Sequence, residues 1–171
     1  MNEEPNNRNR TLVMVALLVP IVGLLALMGW ALGQTGGNPG GFAINSQSGE
    51  VDVETGPAPM FLLPLLGGGV LDTAELRGKV VMVDFWSSWC PPCIEEAPVL
   101  AATYPLYTGR DVEFVGVAIW DEEGEVNRYV EQFNMTYPNG VDAQGRVAIS
   151  YGVRGIPEKF FLDREGRLVR K

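Results

Sequence analysis

The stretch Val80–Val99, VVMVDFWSSWCPPCIEEAPV, leaves the chain few choices of fold. It opens on the apolar, β-branched run Val80-Val81-Met82-Val83, which predicts a strand buried on both faces of a sheet. It then delivers Cys90-Pro91-Pro92-Cys93 to the start of a helix predicted over Pro91–Tyr104 and ended by Pro105. Prolines are tolerated in the first turn, where N–H groups have no helical partner anyway, whereas Pro98 is expected to kink the helix. A helix N-terminus offers unpaired N–H groups and the positive end of the dipole. Both favour a thiolate, so Cys90 is expected to be an exposed nucleophile and Cys93, one turn on, the buried resolving thiol. Pro91 and Pro92 remove two N–H donors and so tune the redox poise. The predicted chemistry is thiol–disulfide exchange. The alternative, an inert structural disulfide, is disfavoured by Trp89 and the two prolines at a strand-to-helix junction.

What the chain lacks narrows the chemistry further. It has two cysteines, both in this motif, and no histidine. That excludes Cys–His dyads, His-ligated metals and c-type haem attachment, where Ile94 stands in the place His would need. A four-cysteine zinc site is two ligands short. No metal and no cofactor other than the cysteine pair itself is expected. A formal net charge of −8 argues against nucleic acid as a partner. Thiol capture of a soft ion such as Cu(I), without catalysis, stays open as a rival use of the pair.

Polar Met1–Arg10 precedes Thr11–Leu32, which runs for 22 residues without a charge. About 20 such residues span a bilayer. Arg8 and Arg10 flank its start and the next basic residue is Arg77, so the positive-inside rule places residues 1–10 in the cytoplasm and the rest outside. A cleaved signal peptide is the alternative, but its apolar core is normally only about 7–15 residues. Gly33–Gly56, with GQTGGNPGG and SQSG, reads as a linker of 24 residues reaching about 25–30 Å. The folded domain is expected over 57–171.

Within it, Ala58–Pro64 reads as extended and Leu71–Lys79 as a helical turn and a connection. Val112–Ile119 is a second buried strand, and Glu122–Phe133 a helix with Val126, Tyr129, Val130 and Phe133 on one face. Tyr137–Val141 reads as a short strand and Ala148–Tyr151 as a helical turn. Lys159–Asp163 and Arg167–Arg170 form a hairpin across Arg164-Glu165-Gly166. The order predicts an α/β sandwich around one sheet. The acidic run Asp121-Glu122-Glu123 is expected to cap the following helix and face water.

Val83-Asp84-Phe85-Trp86-Ser87-Ser88-Trp89-Cys90-Pro91-Pro92-Cys93, then Pro98 and Gly155-Ile156-Pro157, resemble the thioredoxin superfamily. With the anchor, Ala58–Leu63 and the insert around Glu122–Tyr151, the chain resembles the TlpA/ResA/DsbE group of anchored thiol–disulfide oxidoreductases. Gly152–Glu158 is most similar to the DsbE (CcmG) branch. The resemblance covers about 57–171. It implies a thioredoxin-like three-layer sandwich around a mixed central sheet, preceded by one transmembrane helix. It implies that Asp84 lies under the disulfide and takes a proton from Cys93, its pKa raised by burial. Ile156–Pro157 would be cis, and Ile156 would pair with extended substrate beside Trp89. Glu158 would tune the thiols or touch substrate, unless it is an exposed strand-start residue. The implied substrates are protein thiols and disulfides, apocytochrome c among them, and the implied electron donor is a membrane thiol transporter of the CcdA/DsbD type. An oxidase that makes disulfides in secreted proteins is the enzymatic rival. Asp84 stands where the group often has Asn, and the group's final helix has no counterpart before Lys171.

Overall fold

The structure, a computed structural model, describes residues 7–34, 43–44, 49, 51 and 53–171. Most of the segment 1–10 and of the predicted linker lies outside the described residues. The chain divides into two units, Met1–Gly41 and Phe42–Lys171. In the first, α1 (Asn7–Gln34) is one continuous helix through Pro20. Its stretch Arg10–Ala31 is long and apolar enough to cross a membrane. At about 1.5 Å per residue, those 22 residues match a hydrocarbon core of about 30 Å.

In the second unit, short strands β1 (Ala43–Ile44), β2 (Gly56–Pro57), β3 (Leu62–Pro64) and β4 (Val70–Asp72) precede the central strand β5 (Val80–Trp86). Then come α2 (Pro91–Thr103), a 3-10 turn at Tyr104–Tyr107, β6 (Val112–Ile119), α3 (Glu123–Gln132), β7 (Asn139–Asp142), α4 (Arg146–Tyr151), β8 (Gly155–Ile156), β9 (Glu158–Leu162) and β10 (Arg167–Arg170). The main sheet has the order β2-β10-β9-β5-β6-β7. β5, β6 and β7 are mutually parallel, and β9, β10 and β2 run antiparallel to their neighbours. It is the mixed sheet of a thioredoxin-like fold.

The two faces of β5 divide the core, because side chains alternate along a strand. Phe85 packs on Tyr151 of α4 and on Phe160 of β9. Trp86, on the opposite face, stacks on Tyr129 of α3 at 4.4 Å between ring centroids. The Tyr129 hydroxyl donates to the Cys93 carbonyl at 2.7 Å, which ties α3 to α2 on that same face. Helices therefore cover both faces of the sheet. Two glycines permit close approaches: a Cβ on Gly116 would lie 1.8 Å from Asn139 Oδ1, and one on Gly140 would lie 2.1 Å from the Pro64 carbonyl oxygen.

The strands Val80–Trp86 and Val112–Ile119 lie where the apolar runs predict them. Tyr104 belongs to the 3-10 turn rather than to α2, since Pro105 leaves it no room to continue. The run at Asp121 differs in its use. Asp121 is half-buried and its carboxylate accepts from the Ser88 N–H at 2.5 Å and from the Ser88 hydroxyl at 3.0 Å. Glu122 occupies the helix cap position without a side-chain hydrogen bond.

Candidate active site

The loop Ser87–Trp89 carries the chain from β5 into α2 and is braced from one side by the end of β6. The Ser87 hydroxyl donates to the Ile119 carbonyl, and Trp89 Nε1 donates to the Trp120 carbonyl at 3.0 Å. With the two Ser88 bonds to Asp121, this fixes the approach to Cys90. Cys90 and Cys93 are joined as a disulfide. Cys90 is the helix cap residue, with extended backbone, and its Sγ accepts from the Cys93 N–H at 3.3 Å. Pro91 and Pro92 occupy the first two helical positions and have no N–H. The Cys93 amide is thus the first donor the helix can offer to the sulfur.

Cys93 is buried as expected, but Cys90 is closed as well, at 0% exposure. The expected exposed nucleophile is therefore not open in this oxidised arrangement. Trp89 beside it is 49% exposed, while Trp86 packs inside.

Asp84 is 1% exposed on the face of β5 that meets α2 and α3. Opposite it in register, across to β9, is Lys159. The Lys159 ammonium lies 3.1 Å from Asp84 Oδ1 and hydrogen-bonds Glu96 Oε1 at 2.5 Å. Side-chain exposure rises from Asp84 at 1% through Lys159 at 21% to Glu96 at 29%, so the trio runs outward from the core. Burial raises the Asp84 pKa above 3.8, against the opposing pull of Lys159. Burial and then the Asp84 charge raise Glu96, again opposed by Lys159. For Lys159, burial pulls the pKa down, but the two carboxylates outweigh it and the net shift is upward. Glu96 follows Cys93 by three residues on α2, so the two share a helix face. Lys159 links that face to Asp84.

Ile156–Pro157 is cis. Glu158 pairs in register with Phe85, one residue short of the end of β5. Ile156 and Pro157 therefore lie at the end of β5 from which the cysteine loop departs. Glu158 is 8% exposed rather than a solvated strand start. It is held by Lys171 at 2.5 Å and accepts from the Arg154 N–H at 3.1 Å. Sequence reasoning missed Glu96 and Lys159. The Cys93–Glu96 spacing carried a usable signal; the Lys159 pairing depends on strand register.

Residues 55–171 match the AhpC/TSA family. The thiol–disulfide oxidoreductase ResA of Bacillus cereus is 29% identical over 164 residues, covering 96% of this chain and 88% of that protein. ResA of Geobacillus thermodenitrificans is 35% identical over 111 residues, 65% of this chain and 64% of that protein. The crystal structure of a secreted Mycobacterium tuberculosis disulfide oxidoreductase, homologous to E. coli DsbE, superposes with a TM-score of 0.61 at 32% identity. It matches 65% of this chain and 81% of its own. The family match over residues 55–171, with a cysteine pair whose first member caps a helix at the end of a central strand, on a fold that superposes on the DsbE homologue, places this chain in the AhpC/TSA family of thioredoxin-like proteins.

Proposed function

We propose that this protein is a membrane-anchored thiol–disulfide oxidoreductase acting as a reductase of protein disulfides outside the cytoplasmic membrane. The observation that carries the reading is the Cys90–Cys93 disulfide set as the cap of α2. The protein is an enzyme of thiol–disulfide exchange, like the ResA proteins and the DsbE homologue it resembles. In the reductive direction, the Cys90 thiolate attacks a substrate disulfide sulfur, forming a mixed disulfide and releasing one substrate thiolate. Cys93 then gives its proton to Asp84 and attacks Cys90 Sγ. The second substrate thiolate leaves, and the electron pair lost by the two cysteines has reduced the substrate. The burial of Asp84, which raises its affinity for a proton, and its link through Lys159 to Glu96 support that role for it. Trp89, Ile156 and Pro157 would seat the substrate, Pro91 and Pro92 would set the poise, and Glu158 would act on the site through the Arg154–Glu158 segment.

The apolar helix Arg10–Ala31 supports a single-pass anchor with its N-terminus in the cytoplasm, the catalytic domain lying outside. In that setting the substrates are protein disulfides such as apocytochrome c, and electrons arrive from a membrane thiol transporter of the CcdA/DsbD type. The deciding experiment is the reduction potential of the full chain in detergent, equilibrated with a dithiol buffer. A value near −270 mV, roughly that of thioredoxin, supports the reductase, and one approaching about −120 mV overturns it in favour of the oxidase. Metal titration of the reduced protein tests the binding-module rival, which stoichiometric Cu(I) uptake without insulin reduction would support.

A further inference from the structure

The strand before Pro157 already has an occupant. Backbone Ala43–Ile44 pairs in parallel with Gly155–Ile156, in the register Ala43 with Gly155 and Ile44 with Ile156. These two segments form a sheet of their own, separate from the six-stranded one. An exposed strand edge offers a row of N–H and C=O groups, and extended peptides dock by completing such a row. Here the chain completes it with its own residues, drawn from between α1 and the folded domain.

A second, independent observation concerns the reacting sulfur. Exchange needs a thiolate to reach a disulfide sulfur along an open path. Cys90 has 0% exposure and Ile156 1%, although Trp89 next to Cys90 is half-exposed. Strand β8 runs directly into Pro157, at the end of β5 that launches the cysteine loop. The closed sulfur and the occupied edge thus lie at the same end of the sheet.

We propose that the segment through Ala43–Ile44 is a resident occupant of the docking edge at Gly155–Ile156, and that a protein substrate reaches Cys90 by displacing it. This rests on the exchange reading above. A ladder of two residues suits such a role. Being tethered, the occupant holds the edge against weak competitors at a high effective concentration. Being only two residues long, it yields to an extended substrate that makes a longer ladder and gains the covalent mixed disulfide. The partner that fits is therefore an unfolded or extended polypeptide around a disulfide, rather than a disulfide buried in a compact domain.

The test uses the full chain in detergent micelles with Ala43→Pro and Ile44→Pro. Proline has no N–H and breaks a strand ladder. Neither position is in the catalytic machinery. The rate at which excess dithiothreitol reduces the Cys90–Cys93 disulfide is followed by tryptophan fluorescence. Hydrogen exchange is read at Gly155–Ile156, and the reduction potential is measured alongside. Expected are reduction about fivefold faster, the order expected for one backbone hydrogen bond lost from the closed state, faster amide exchange at Gly155–Ile156, and an unchanged potential. Unchanged reduction and exchange rates in both variants overturn the proposal. So does a shifted potential, which would make any rate gain thermodynamic rather than a matter of access. Dithiothreitol needs no protein substrate, so these results stand apart from the direction of turnover. A chain that fails to reduce insulin even in the proline variants overturns the functional reading, while faster dithiothreitol reduction still supports the occupant.

Discussion

Lys159 reaches across from β9 to place its ammonium 3.1 Å from Asp84 Oδ1, and the same ammonium hydrogen-bonds Glu96 on α2. Buried Asp84 and part-buried Glu96 thus share one cation, one carboxylate more than it can neutralise. Burial without full compensation raises the carboxylate's affinity for a proton, which makes it a stronger base toward Cys93. Asp84→Asn is therefore expected to slow release of the mixed disulfide by about 10²-fold or more and to flatten its pH dependence. Lys159→Met is expected to move the rise in rate to higher pH, because the cation no longer opposes the upward shift at Asp84. Rapid mixing with a fluorescent disulfide substrate over a series of pH values separates the two variants. An Asp84→Asn profile identical to that of the parent would remove Asp84 from the mechanism.

The same cluster fixes how stability depends on pH. Asp84, Glu96 and Lys159 all have folded pKa values above their ordinary ones. Each group then holds its proton more tightly folded than unfolded, so the folded state binds more protons. Stability is expected to fall as pH rises from the ordinary carboxylate values of 3.8 and 4.5 through the raised folded values. Asp84→Asn should remove part of that slope and stabilise the protein at neutral pH. Urea unfolding at a series of pH values checks the sign.

The two cysteines are expected to part company under substitution. Cys90→Ser should abolish turnover, since Cys90 is the cap residue beside half-exposed Trp89 while Cys93 lies a turn inside α2. Cys93→Ser should leave Cys90 able to attack but not to be released, so mixed disulfides accumulate on non-reducing gels. Equal residual activity in the two variants would contradict the assignment.

The redox pair was legible because every part of it is local. A β-branched run, two cysteines one turn apart and two prolines at a helix start are all read along the chain. Helix α3 was legible for the same reason, as Val126 and Tyr129 are the residues its apolar stripe buries. Lys159 was not, because its meaning comes from the cross-strand pairing with Asp84, 75 positions away by number. Asp121 looked like a solvated helix-start carboxylate; it does accept from the Glu122 N–H, but it is half-buried and also binds Ser88, 33 residues earlier. Nor do two short residues such as Ala43 and Ile44 carry a pattern; their pairing with Gly155–Ile156 is decided by an open edge elsewhere in the fold. Long-range register, rather than composition, separates what was read from what was missed.

The prolines of the motif lend themselves to a direct measurement. The side chain of a cap residue normally accepts from the second or third helical N–H. Here the second belongs to Pro92 and does not exist, so Cys90 Sγ depends on the Cys93 amide at 3.3 Å. Pro92→Ala restores a donor. The Cys90 thiolate should gain one charge-assisted hydrogen bond, lowering the thiol pKa and stabilising the reduced form. The reduction potential is expected to rise by about 30–60 mV, the equivalent of one such bond. A potential unchanged within a few millivolts, measured against a glutathione buffer, would show that the sulfur does not draw on that position.

Two glycines outside the site separate packing from chemistry. Gly140 lies in β7, where an added Cβ would meet the Pro64 carbonyl oxygen at 2.1 Å and Leu63 Cγ at 2.7 Å. Backbone on one side and a fully buried leucine on the other leave little room to relax. Gly140→Ala is expected to destabilise by about 1–3 kcal/mol or more, through forced separation of β7 from β3. Gly124, in the first turn of α3, has open space around the same added atom. Gly124→Ala should stabilise by up to about 1 kcal/mol, from helix propensity alone. Neither residue touches the cysteines, so both variants should keep the parent's reduction potential while their urea midpoints move in opposite directions. A Gly140→Ala protein as stable as the parent would mean that β7 and β3 do not pack as closely as these distances require.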